Sequence, residues 1–165
     1  MEIDNVFITY LEGLAEDRGK LASLRRGLGQ PPGTCAAMYP IVAVRLPHNC
    51  SRVEEERYYL IASLFGFHPL SIKVGNMGDH IRCASGNEIT VAVERRFVNL
   101  LSTHWEDIPD QLRQAVSFLK SKDQPINWQQ LFFDLKLWGH PDQLTQRHWA
   151  NSFWGYQISD KSQDK

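Results

Sequence analysis

The stretch R-G-K-L-A-S-L-R-R-G-L-G, residues 18–29, predicts the kind of fold that this chain adopts. Leu21, Leu24 and Leu28 recur three and four residues apart, so they share one face of a helix. The glycines that close the stretch are a typical helix stop. The pattern therefore predicts a short amphipathic helix.

The same stretch holds four cations and no acid. Arg25 and Arg26 point about 100° apart on a helix, so at least one of them must face water. A solvated basic edge is the first interpretation, and charge runs usually have that role. A surface that contacts phosphates is the second interpretation, and the stretch alone leaves both open.

Outward from this stretch, the chain repeats the helical period with a start signal before each segment. Ser51 and Glu54 form an S-x-x-E capping box, and a second box is predicted at Ser85. Asn127 is a further predicted cap, and Pro141 suits the first turn of the last helix. The sequence shows no βαβ alternation, so it predicts an all-α fold of helical bundles.

The helical segments predict one all-helical domain over 1–165, with an N-terminal lobe over 1–66 and a C-terminal four-helix bundle over 88–154. A variable central loop is expected over 67–87, because this region is interrupted by glycines and a proline. Within it, residues 70–74 alternate between apolar and polar, which leaves a short strand or hairpin open.

The composition limits the classes of function. Eighteen Lys and Arg residues against 19 Asp and Glu residues give a net charge of −1, which argues against an autonomous, tight nucleic-acid binder. A local basic stripe inside a larger assembly is compatible with that balance. Three unpaired cysteines, the lack of a signal-peptide pattern and the lack of a long apolar run predict a cytoplasmic protein with no membrane partner.

Motifs for chemistry are missing from the sequence. It contains no phosphate-binding glycine loop and no G-x-S-x-G elbow, so no cofactor and no catalytic residue is predicted. A zinc site built from His48, Cys50, His80 and Cys83 is the one enzymatic alternative, but the spacing matches no common zinc motif. Simple packing roles explain these residues better, and no metal is predicted.

The tryptophans of the C-terminal half lie on the apolar faces of predicted helices. Trp128, Trp138 and Trp149 are expected in the core rather than stacked on bases. Trp154 is a candidate anchor for a partner, because it lies near the end of the last helix.

Cations recur about once per turn on the polar faces of the predicted helices, which is the spacing needed to follow a phosphate backbone. Ten of them are candidate nucleic-acid contacts: Lys20, Arg25, Arg26, Arg52, Arg57, Arg95, Arg96, Arg113, Lys120 and Lys122. Solvated surface charge is the alternative for every member of this set.

Five strings follow one another in an order that resembles the CasB small subunit of Cascade, the type I-E CRISPR interference complex. They are the opening stretch, V-E-R-R-F-V-N-L-L (93–101), W-E-D-I-P-D-Q-L-R-Q-A-V-S-F-L-K-S-K (105–122), P-I-N-W-Q-Q-L-F-F-D-L-K-L-W (125–138) and R-H-W-A-N-S-F-W (147–154). Each string alone is only an amphipathic helix, and their number and order make the resemblance specific.

The resemblance implies an all-helical subunit without catalytic activity. Such subunits associate head to tail, contact the backbone and large subunits and the CRISPR RNA, and help to hold the displaced strand of the target DNA in the R-loop. The resemblance supports Arg25 and Arg26 most strongly as nucleic-acid contacts, followed by Arg95 and Arg96. An intramolecular salt bridge is the alternative role for Arg96, because it lies closer to the apolar stripe than Arg95 does. A helical scaffold that contacts only proteins remains the alternative function.

Overall fold

The protein is described here from a computed structural model that covers the backbone of residues 2–162 and the side chains of residues 5–155. Within these ranges the chain forms nine α-helices, three short 3-10 helices and no strand, which confirms the predicted all-α fold. The α-helices are α1 (Glu2–Glu12), α2 (Arg18–Arg25), α3 (Tyr39–Val42), α4 (Arg52–Phe67), α5 (Met77–Ala84), α6 (Val91–Leu101), α7 (Ile108–Ser121), α8 (Trp128–Lys136) and α9 (Leu144–Ser162). The 3-10 helices are Ala36–Met38, Ala43–Arg45 and Trp105–Asp107.

Local capping signals fix several of the helix starts. The Ser51 hydroxyl accepts a hydrogen bond from the Glu54 amide, and the Glu54 carboxylate accepts one from the Ser51 amide, which confirms the predicted box. Asn127 caps α8 as expected. Two predicted starts are wrong: Thr90 rather than Ser85 caps the helix that follows, and the last helix begins after Pro141, at Leu144.

The predicted central loop contains a helix, so the expectation of a loop throughout 67–87 is wrong for α5. Asn76 and Asp79 form a capping box at its start, and Met77, His80 and Ile81 are buried on it. The strand considered for 70–74 amounts to an isolated bridge between Ser71 and Ile126.

A single hydrophobic core joins the two predicted lobes. Helix α4 lies at its centre, since every residue from 57 to 66 is buried, and α2, α7 and α8 pack against it. The rings of Phe7, Tyr58 and Phe132 contact one another at centroid distances of 4.7–5.6 Å, which links α1, α4 and α8. Trp128, Trp138 and Trp149 are buried in the same core, as predicted.

Candidate nucleic-acid interface

Helices α6 and α7 pack side by side and leave an open groove on the surface. We call it the arginine groove; its lining residues are Arg96, Asp110, Arg113, Gln114, Ser117, Phe118 and Ser121. The residues of α7 that face it lie opposite Leu112, Val116 and Leu119, which are buried. The amphipathic period of α7 therefore turns a polar, hydrogen-bonding face toward the groove.

Arg113 connects the arginine groove to the end of α2. Gly29 has a left-handed backbone conformation with φ of 77°, and a Cβ atom at this position would lie 2.7 Å from the Arg113 Nη1 atom. Gly29 follows Arg25 and Arg26 by only three to four residues. The fold thus places Arg96 and Arg113 in one groove. Gly29, which lies beside Arg113, is separated from the cationic end of α2 by only a few residues of sequence.

Four other predicted contacts are exposed but do not line the groove. Arg25 is in the last turn of α2, Arg26 is its C-cap, Arg95 lies on α6, and Lys122 is the C-cap of α7. Their exposure leaves them accessible to a bound polynucleotide. Their roles as contacts stay predictions.

Three predicted contacts have partners within the protein. Lys20 lies 3.9 Å from Asp17, and Arg52 forms an ion pair of 3.1 Å with Glu56. The Lys120 ammonium group donates a 2.7 Å hydrogen bond to the carbonyl oxygen of Phe67 and lies 4.3 Å from the centre of its ring. These cations have a structural role already, although each remains exposed.

Arg57 is a correction to the predicted set. Its side chain is only 4% exposed, and its guanidinium carbon lies 4.4 Å from the centre of the Phe132 ring. The helical period of the sequence predicts Arg57 on a polar face of α4. Because α4 is buried on all sides from residue 57 to residue 66, Arg57 is enclosed instead. Arg57 therefore stabilises the core and is not available to a phosphate on the surface.

The groove contains neutral donors that the search for cations did not single out. Ser117 follows Arg113 by four residues, and Gln114 is its neighbour. Ser121 follows by eight residues, but its hydroxyl group already donates a 2.6 Å hydrogen bond to the Phe118 carbonyl oxygen. Hydroxyl and amide groups often contact phosphate oxygens in nucleic-acid complexes. The spacing of four residues on one helix is the signal that places these serines beside Arg113.

Two buried titratable groups lie away from the groove and serve internal hydrogen bonds. His80 Nε2 accepts a 3.0 Å hydrogen bond from the Asn127 amide, and burial lowers the pKa of His80 to about 4. The Asp134 carboxylate accepts hydrogen bonds from Trp149 and Gln130, at 2.7 and 2.8 Å, while burial raises its pKa. No pattern in the sequence predicted either set of hydrogen bonds.

The zinc alternative lacks the geometry it requires. Among the residues that the structure describes, no group of three or more His, Cys, Asp or Glu side chains could hold a metal ion. His48 and Cys83 are exposed, Cys50 is half-buried, and His80 is buried with its Nε2 atom engaged. These residues therefore do not form the tetrahedral set that the alternative needed.

Trp154 has contacts within its own chain. Its indole nitrogen donates a 2.9 Å hydrogen bond to Glu94, and its ring centroid lies 5.4 Å from that of Phe97. These contacts fasten α9 to α6 and leave the side chain half-buried. Its role as an anchor for a partner stays a prediction. No helix among the described residues combines the length and apolar character that crossing a membrane requires.

The fold and the groove together define a class: an all-helical protein with an open, arginine-lined surface. Comparison with known proteins gives the family. The sequence model of the CRISPR-associated protein Cse2 matches residues 20–154, and this chain belongs to the Cse2 family. The resemblance to a CasB-type small subunit is thereby confirmed.

Known relatives match this chain over nearly all of its length. The CRISPR-associated protein Cse2 of Thermus thermophilus is 30% identical over 160 residues, which cover 96% of this chain and 92% of the relative. A crystal structure of a Cse2-family protein from the same organism has a TM-score of 0.82 at 27% identity, covering 92% of this chain and 97% of the other.

A chain of a CRISPR RNA-guided surveillance complex shares the fold, with a TM-score of 0.82 at 22% identity. The match covers 99% of this chain and 98% of that chain.

Proposed function

We propose that this protein is a non-catalytic small subunit of a type I-E CRISPR RNA-guided surveillance complex. In this proposal it contacts the backbone and large subunits and the CRISPR RNA in the cytoplasm, and it associates head to tail with a second copy. It binds the target DNA without sequence specificity and helps to hold the displaced strand of the R-loop. Membership in the Cse2 family and the shared fold with a chain of a surveillance complex support this assignment.

The observation that carries the nucleic-acid role is the convergence of Arg96 and Arg113 on one open groove with two neutral donors, Gln114 and Ser117. Two guanidinium groups can each bind a phosphate with paired hydrogen bonds, and the Ser117 hydroxyl and the Gln114 amide add neutral contacts. Contacts of these groups with phosphates carry no sequence information, so a binding mode built from them is blind to sequence.

The near-neutral charge of the chain fits a role inside an assembly. The exchange of a DNA duplex for an RNA–DNA heteroduplex is nearly balanced in free energy, so a few phosphate contacts suffice to favour the R-loop. A net charge of −1 keeps the isolated chain from binding DNA indiscriminately. Partner subunits then supply the positioning that makes a small number of contacts effective.

The test is the salt dependence of binding to a single-stranded DNA oligonucleotide by the wild-type chain and by a variant with Arg96→Ala and Arg113→Ala. Each lost phosphate contact should reduce the slope of log K against log salt by about 0.7 for single strands, so the double variant should lose about 1.4. In the assembled complex, the same variant should shorten the lifetime of the R-loop.

A matched control removes two exposed cations from another part of the surface, Lys136 on α8 and Arg147 on α9. Replacing both by alanine changes the net charge by the same amount as the groove variant does. The slope of log K against log salt should stay within error of the wild type. Equal slopes for the groove variant and the control would reject the arginine groove. If the groove variant also assembles normally and leaves the R-loop lifetime unchanged, the scaffold that contacts only proteins is the correct function.

A further inference from the structure

A cavity of about 400 Å³ adjoins the arginine groove and is not explained by nucleic-acid binding. It lies between α4, the start of α7 and the loop that follows α2, and we call it the acidic cleft. Asp110 and Arg113 line both the cleft and the groove, so the two are continuous. Its size lies within the range of sites that take a small molecule or a single large side chain.

The walls of the cleft combine aromatic rings with carboxylates. Tyr59 and Trp105 supply rings, and the carboxylates belong to Glu56, Glu106 and Asp110. Glu56 is paired with Arg52, which does not line the cavity, whereas neither Glu106 nor Asp110 has an ion-pair partner among residues 5–155. The Arg113 guanidinium, beside Gly29, is the one cation in the lining that the structure describes.

Tyr59 supplies a hydrogen-bonding group to the wall of the cleft. The residue is 2% exposed and lines the cavity, yet its hydroxyl group has no hydrogen-bond partner within residues 5–155. The hydroxyl oxygen is not fully enclosed, so it is free to exchange hydrogen bonds with a group that enters the cleft. Burial and the nearby Glu55 carboxylate raise the pKa of Tyr59 to about 12, which keeps this hydroxyl group neutral.

We propose that the acidic cleft receives the side chain of an arginine or lysine from a partner protein. The unpaired carboxylates of Glu106 and Asp110 attract a cation, the half-buried ring of Trp105 is available for cation–π contact, and the Tyr59 hydroxyl group can accept a hydrogen bond. The Glu106 carboxylate lines the cleft and not the groove, and its charge disfavours a nucleotide phosphate as the occupant of the cleft.

This inference goes beyond the proposed function and does not depend on it. The arginine groove and the acidic cleft have opposite charge preferences, and Arg113 with Asp110 forms the boundary between them. One face of the protein would then hold nucleic acid while the adjoining cleft fixes the subunit to a protein neighbour.

The first test uses N-acetyl-arginine amide and N-acetyl-lysine amide as probes, with N-acetyl-norleucine amide as the neutral control. Titration of the full chain, followed by NMR, should shift the indole N–H signal of Trp105 and the amide signals of Gly29 and Gly33 saturably with both cations. The Glu106→Gln, Asp110→Asn variant should bind the cations at least about fivefold more weakly, since it loses two charges and retains the shape of the cleft.

The controls separate this proposal from the nucleic-acid role. Arg96 lies outside the cleft, so Arg96→Ala should leave the arginine-amide titration unchanged. Glu106 lines the cleft and not the groove, so Glu106→Gln alone should leave binding to single-stranded DNA unchanged. The proposal is overturned if norleucine amide shifts the same signals as strongly, if no saturable shift occurs, or if the carboxylate variant binds as well as wild type. Displacement of the cation by adenosine monophosphate, with matching shifts, would instead assign the cleft to a nucleotide.

The second test concerns the partner protein. A Glu106→Lys, Asp110→Lys variant should be recovered in the assembled complex at least about tenfold less than wild type, because two cations now face the incoming one. Arg96→Ala should be recovered normally, even if its R-loops are short-lived. Undiminished recovery of the charge-reversal variant would reject a partner protein as the source of the cation.

Discussion

The indole nitrogen of Trp149 donates a 2.7 Å hydrogen bond to the carboxylate of Asp134, deep in the contact between α8 and α9. Trp149 is fully buried, and Asp134 is buried with it. The second oxygen of the same carboxylate accepts a hydrogen bond from Gln130, one turn earlier on α8. Because the acceptor is charged, these hydrogen bonds are stronger than those between neutral groups.

Replacing Asp134 by alanine should destabilise the protein by about 2–3 kcal/mol. The substitution leaves the Trp149 indole N–H buried without its acceptor, and an unsatisfied buried donor carries most of its desolvation cost. Urea denaturation followed by circular dichroism measures this loss. Glu88→Ala, at an exposed carboxylate, is the control and should change the free energy of unfolding by less than about 0.5 kcal/mol. Equal effects of the two substitutions would show that the Asp134 hydrogen bonds contribute little.

His80 should make the protein sensitive to mild acid. Its pKa falls from an ordinary value of 6.5 to about 4 in the folded protein, so the unfolded chain takes up a proton more readily. The free energy of unfolding should therefore fall as pH is lowered from about 6.5 to 4, by about 3 kcal/mol in total. Denaturation curves at half-unit steps of pH give this profile.

A His80→Gln variant should show a flatter profile across the same range, because glutamine cannot take up the proton and can still accept the hydrogen bond from the Asn127 amide. An unchanged slope in this variant would assign the acid sensitivity to other groups.

Asp134 acts in the opposite direction. Its raised pKa means that the folded state holds the proton more tightly, so its contribution to stability falls as pH rises from 3.8 through the raised value. Asp134→Asn should therefore make the loss of stability in acid steeper.

The parts of the fold that were predictable from sequence are those with local causes. Ser51 and Glu54 form their capping box from groups three residues apart, and the same holds for the Asn127 cap. Such contacts need no knowledge of the rest of the fold. The amphipathic period of α7 likewise placed Arg113 on a polar face, where the structure has it.

The misses have tertiary causes. Arg57 and its neighbours follow a helical period, but α4 is surrounded by other helices, so no face of its central turns reaches solvent. The acidic cleft combines α4, α7 and the loop after α2, which lie far apart in sequence. The hydrophobic period and the capping signals each describe one helix at a time. They therefore could not predict that Tyr59 and Glu106 line the same cavity.

The sequence analysis also did not predict α5, because the glycine in its first turn is explained by a contact with a distant helix. That glycine, Gly78, leads to a specific prediction. Gly78 lowers helix propensity, but a Cβ atom at this position would collide with the carbonyl oxygen of Trp149 on α9. The glycine is thus required by the close approach of two helices. Gly78→Ala should destabilise the protein by about 3 kcal/mol, because the obstructing atoms are backbone and cannot rotate away.

Gly139→Ala is the matched control for this substitution. No atom lies within 4 Å of a Cβ built at Gly139, so the added methyl group should change the midpoint of thermal unfolding by no more than a degree or two. A thermal shift assay on both variants measures the difference. If Gly78→Ala unfolds at the wild-type temperature, the approach of α5 to α9 is looser than the structure has it.

Lys120 should prove to be a structural cation rather than a nucleic-acid contact. Its ammonium group donates a hydrogen bond to the carbonyl oxygen of Phe67, the last residue of α4, where a positive charge also interacts favourably with the helix dipole. Lys120→Met keeps the long side chain and removes the charge. It should lower the free energy of unfolding by about 0.5–1 kcal/mol, with little change in the salt dependence of DNA binding.

Lys122→Met provides the comparison, since Lys122 is an exposed cation on the same helix end. Its replacement should leave stability unchanged, and a decrease in the salt slope would identify it as a phosphate contact. The opposite pattern, in which Lys120→Met reduces the slope and does not affect stability, would show that the Phe67 contact breaks when DNA binds. Because both variants remove one charge from the same end of α7, a general effect of net charge would alter both slopes equally, and only a specific contact can separate them.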